Sequence, residues 1–67
     1  MISEFALSTK EALDEAAKWL ADLGFVVARS TRADDPHRLT VYHNYATRHD
    51  VPMLVAMVDP IAVEIRD

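Results

Sequence analysis

Three histidines stand six residues apart, His37, His43 and His49. Imidazole is the side chain best suited to hold a metal or move a proton near neutral pH. In a metal reading, His43 and His49 converge across the connection between two strands, and Asp50 or Asp35 completes the shell. The familiar short-range ligand pairs are missing, with no His-x-His, no His-Glu-x-x-His and no cysteine. His43 with Asp50 also offers a general base and a group to orient it. Ser3, Ser8 and Ser30 lack the glycines of a nucleophile elbow, and the single glycine, Gly24, leaves no phosphate-binding loop. These patterns predict solvated loop or edge histidines, no bound metal or cofactor, and no catalytic residues. A small histidine-dependent enzyme or metal protein is the minor alternative.

Charge narrows the partners. Arg29, Arg32, Arg38 and Arg48 lie in one stretch with Tyr42 and Tyr45, the residue types that contact and stack on nucleic acid. The whole chain nevertheless carries −4, and sequence-independent phosphate binding depends on a basic surface. A nucleic-acid partner is therefore disfavoured. Glu11, Asp14, Glu15 and Asp22 form an acidic face that suits a basic groove on a target, or simply a solvated helix surface. No apolar run approaches the roughly 20 residues needed to cross a bilayer. Met1-Ile2-Ser3-Glu4 has no basic region of the kind that opens a signal peptide. With no cysteine in the chain, the expectation is a cytoplasmic protein without membrane attachment.

The elements that position these residues are short. Residues 2–7 read as a strand. Ser8-Thr9-Lys10-Glu11 reads as a capping box with Ser8 as the cap. A helix is predicted from Thr9 to Leu23, with Ala12, Leu13, Ala16, Leu20 and Leu23 on one face, and Gly24 as its stop. Trp19 falls at the edge of the apolar arc, where it covers the core rim or anchors an interface. Residues 25–29 and 38–43 read as strands, with a turn at Asp34-Asp35-Pro36. Residues 44–50 read as a loop or a single helical turn. The apolar run 51–58 has strand length and reads as a further strand, and 61–65 alternates again. The predicted fold is one α+β domain spanning 1–67. One amphipathic helix packs on a small, mainly antiparallel sheet in the order β-α-β-β-β, with or without a further short strand. Phe25, Val27, Leu39, Val41, Ile61, Val63 and Ile65 are expected beneath the helix.

That arrangement leaves apolar material unexplained. Read as a strand, residues 51–58 put Met53, Val55 and Met57 on one face and Leu54, Ala56 and Val58 on the other. A lone helix covers one sheet face only. The second face would collect Val26, Ala28 and Tyr42 with Leu54, Ala56 and Val58, and contiguous exposed apolar patches mark interaction sites. A chain of 67 residues has a small core, which often needs an oligomeric partner in place of disulfides or a metal. So small a domain is also expected to have little room for a ligand pocket of roughly 300 Å³.

The candidate partner-binding residues are Trp19, Val26, Tyr42, Leu54, Ala56 and Val58. In small size, acidity and want of catalytic residues, the chain resembles the single-domain inhibitors of phages and mobile elements, such as anti-CRISPR proteins and antitoxins. The resemblance implies a non-enzymatic module that binds a protein target. The alternative is a homodimer that binds a ligand at its interface.

Overall fold

The computed structural model describes residues 1–30, 32–34 and 36–65. Asp35, named above for the turn and the metal shell, lies outside the described residues, as do Thr31, Arg66 and Asp67. The element order is β1 (Ile2–Ala6), α1 (Lys10–Asp22), β2 (Val26–Arg29), β3 (Arg38–Tyr42), a 3-10 turn (Tyr45–Thr47), α2 (Asp50–Val58) and β4 (Val63–Ile65).

Helix α1 starts one residue later than the capping box predicts. Thr9 is the cap, and its hydroxyl accepts from the Ala12 N–H. Ser8 is engaged elsewhere: its N–H and hydroxyl both donate to Asp59. The helix stops as expected. The Gly24 N–H donates to the Ala21 carbonyl and the Phe25 N–H to the Leu20 carbonyl, the paired bonds of a Schellman stop. Gly24 takes φ +102° there, a region that disfavours any residue with a Cβ.

The segment 51–58 corrects the predicted fold. It is a helix, so two helices rather than one pack on a four-stranded antiparallel sheet. Strand length alone suggested a strand, but three local features favour the helix. Pro52 sits in the first turn, where its missing N–H has no intrahelical acceptor to lose. Asp50 opens that turn and complements the positive end of the helix dipole. Val51 and Val55 are buried, and Leu54 and Val58 pack beside them. The core-facing set 51, 54, 55 and 58 follows helical spacing, not alternation.

The strand order is β2-β3-β1-β4, with every neighbouring pair antiparallel. The expected β2–β3 pairing forms, with Val27 opposite Val41 and Arg29 opposite Leu39. The other neighbour of β3 is β1, not residues 51–58. Strand β1 pairs with β3 on one side and β4 on the other, so β3 lies between β1 and β2. This β-α-β-β-α-β connectivity, with each β-α-β unit split by another strand, is the ferredoxin-like arrangement. Both helices take part in the same core: Leu13, Ala16, Ala17 and Leu20 of α1, and Val51 and Val55 of α2, join Phe5, Leu7, Leu39 and Val41 from the sheet side.

Candidate functional site

Register decides which side chains face away from that core. Residues opposite one another across strands share a face. Phe5 pairs with Leu39, and Ser3 with Val41, and all four are buried on the helix side. The intervening residues must point the other way. They form three rows across the sheet: Val26–Tyr42–Ile2, Ala28–Thr40–Glu4–Ile65, and Arg38–Ala6–Val63. Every position is apolar except Thr40, Glu4 and Arg38, and Arg38 approaches Glu4 at 4.0 Å. Ile2, Val26, Tyr42 and Val63 are all exposed, Val26 to 66% and Val63 to 62%.

The sequence-predicted partner residues therefore divide. Val26 and Tyr42, with Ala28, lie on this open sheet face as expected. Leu54, Ala56 and Val58 do not, because they belong to α2 on the opposite side of the sheet. Leu54 and Val58 pack against the core, and Ala56 is exposed. Val63 and Ile65, expected beneath the helix, lie on the open face. Ile61 is exposed in the loop before β4. Ile2 and Ala6 complete the open face. Alternation along residues 2–7 was their signal, obscured by serine at the buried position 3.

The helix layer has an apolar outer flank of its own. Trp19 is half-buried and lines a groove of 390 Å³ with Glu15, Lys18, Asp22 and Met57. Met53 and Ala56 continue the exposed stripe along α2. A second groove, of 360 Å³, lies between the first turn of α1 and the end of β2, lined by Lys10, Arg29, Arg32 and His37 among others. Grooves of this volume exceed what so small a domain was expected to offer, though both open to solvent.

The candidate acidic residues lie on α1. Glu11, Glu15 and Asp22 are exposed, whereas Asp14 pairs with Arg29 at 2.7 Å. The arginines of the predicted patch are engaged within the chain: Arg32 with Asp34 at 2.9 Å, Arg38 near Glu4, and Arg48 stacked 4.0 Å over the Tyr45 ring.

The histidines do not assemble. His43 lies in a chain of hydrogen bonds with Ser3 (2.8 Å) and the Thr47 hydroxyl (2.8 Å). The Thr47 hydroxyl donates to the Asn44 carbonyl, so it must accept from the His43 Nδ1–H. In the neutral ring Nε2 then accepts from Ser3. The serine–imidazole geometry resembles half of a nucleophile–base pair. Ser3, however, is only 5% exposed, and the far ring nitrogen meets a hydroxyl and a carbonyl instead of a carboxylate. The network ties the 3-10 turn to β1. His49 is the exposed residue before α2 and makes no side-chain cap bond. Among the described residues no group of three or more His, Asp or Glu side chains is placed to hold a metal ion. None of the described helices is long and apolar enough to cross a membrane.

Comparison with known proteins gives no match: no family model, no curated protein and no solved structure corresponds to this chain. Fold and site together define a small compact α+β domain with an open sheet face opposite its two helices.

Proposed function

We propose that the chain is a non-enzymatic protein-interaction module whose docking surface is the open sheet face. The observation that carries this reading is the composition of that face. An antiparallel sheet tolerates water on one side when that side is polar, but here Ile2, Val26, Tyr42 and Val63 stand exposed with Ala6, Ala28 and Ile65 among them. Apolar surface of this kind gains by removal from water, and an apolar face interrupted at its centre by Glu4 and Thr40 suits a folded protein surface that also offers polar partners. A base-stacking platform on a four-stranded sheet uses two or three aromatics. This face has Tyr42 alone and a carboxylate, Glu4, near its middle, which supports a protein partner over a nucleic acid. Small size and acidity support an inhibitor within this class, in the manner of anti-CRISPR proteins or antitoxins.

The test is affinity capture from the source cell with the wild-type chain, Val26→Asp, Tyr42→Glu and Met57→Asp, alongside sedimentation velocity. The expected result is a defined protein retained by the wild type and by Met57→Asp but lost from both sheet-face variants, with the free chain monomeric. A stable dimer dissolved by Val26→Asp would move the reading to the homodimeric alternative. A monomer that retains nothing would end it.

A further inference from the structure

Helix α2 presents a second anomaly, on the other side of the molecule. A helix at a protein surface normally confines its apolar residues to the stripe that faces the core. Residues Val51 to Val58 of α2 contain no polar side chain. Val51, Leu54, Val55 and Val58 satisfy the core, which leaves Met53, Ala56 and Met57 outward, with Met57 exposed to 66%. The groove beside Met57 is floored by Trp19 and bounded by Glu15, Lys18 and Asp22 of α1.

We propose that this groove docks a basic amphipathic helix from a partner protein, independently of whatever occupies the sheet face. Shape supports a helix. The connectivity makes the two helices antiparallel, with Asp59 at the end of α2 bonded to Ser8 just before α1, and the groove follows the flank of α1 from Glu15 to Asp22. Neither helix exposes unpaired backbone along its length, so an incoming segment must satisfy its own hydrogen bonds, as a helix does. Methionine and tryptophan suit the contact: the thioether chain adapts to varied apolar shapes, and tryptophan is enriched among residues that dominate binding energy.

Charge selects the partner. Glu11, Glu15 and Asp22 fall on one stripe of α1 with Lys18 as the cation among them. The last turn of α1 holds no basic residue and ends in Asp22, so the negative end of the helix dipole adds to the field. The chain as a whole carries −4. A second copy would bring the same acidic stripe into the groove, and an anionic membrane surface would meet the same repulsion. Lysines or arginines flanking an apolar stripe complement it. The groove runs along α1 from Glu15 to Asp22, which accommodates about two turns of partner helix.

Trp19 is the single tryptophan, so its emission reports this groove directly. The probe is a tryptophan-free peptide of leucine and lysine with leucine at helical i, i+3, i+4 and i+7 spacing. Its controls are a scrambled peptide and a leucine–glutamate counterpart. The expected result is a saturable blue shift of Trp19 emission that weakens as salt rises. Met57→Asp should weaken binding about tenfold or more, and the Glu15→Lys/Asp22→Lys double variant should do so too while gaining affinity for the glutamate peptide. Tyr42→Glu should leave binding intact, which separates this groove from the sheet face. Circular dichroism confirms that each variant is folded. The proposal is overturned by any of three results: no saturable change up to millimolar peptide, equal binding of the scrambled or glutamate peptide, or full affinity in both groove variants.

Discussion

Asp59 is the side chain that ties the end of α2 to the start of α1. Its carboxylate accepts from the Ser8 N–H at 2.7 Å, from the Ser8 hydroxyl at 2.8 Å and from the Ile61 N–H at 3.3 Å. The Ser8 backbone bond lowers its pKa most. Burial opposes the shift, and the Ser8 hydroxyl and Ile61 N–H add to the lowering, so the carboxyl titrates below its ordinary value. A lowered folded pKa means that the unfolded chain binds the proton first as pH falls. The stabilisation is then fully present above the ordinary carboxylate pKa of about 4 and is lost as pH drops through the lowered value. Asp59→Ala should cost about 2 kcal/mol, the scale of hydrogen bonds to a charged group. In a domain of this size that is a fall in Tm of roughly 10 °C. It should also flatten the loss of stability as pH falls below about 4. Thermal melts across that range check both, and an unchanged acid limb would show that another group controls it. Nothing local in the sequence signals that Ser8, 51 residues away, will meet Asp59.

At the scale of elements, α2 is where reading the sequence failed, for a physical reason. A short apolar run has no polar residues to mark a period, which leaves length to distinguish helix from strand, and eight residues is strand length. The periods differ in what they place together. Alternation puts residues 53, 55 and 57 on one face, whereas a helix buries Val55 and turns Met53 and Met57 outward. Val55→Ala should therefore cost about 2 kcal/mol through lost burial and a residual cavity, while Met57→Ala should stay within about 0.5 kcal/mol of the wild type. Urea unfolding of the two variants separates them, and equal losses would contradict the helix. Helix α1 was legible because its polar and apolar faces are distinct and Gly24 marks its end. The strands at Val26–Arg29 and Arg38–Tyr42 were legible through β-branched residues and alternation. The position of β1 between β3 and β4 was not, since strand order depends on long-range packing and not on local pattern.

For the molecule as a whole, the folding of residues 51–58 as a helix moves part of the apolar excess to the helix layer without removing it. The predicted second sheet face exists, but Ile2, Ala6, Val63 and Ile65 accompany Val26, Ala28 and Tyr42 on it, while the surplus from 51–58 lies on the helix layer. The candidate site was thus half legible. Val26 and Tyr42 followed from their own strands, whereas Leu54, Ala56 and Val58 were tied to an element that does not form. Apolar surface on both layers supports the proposal of protein contacts on opposite sides, with the sheet face as the main docking surface. Amide-resolved NMR of the labelled chain titrated with its captured partner tests that claim most directly. Shifts concentrated at Ile2, Val26, Ala28, Thr40, Tyr42 and Val63, with the outer residues of α1 and α2 unmoved, are the predicted footprint. A footprint confined to the helix layer, with those strand residues unchanged, would contradict it.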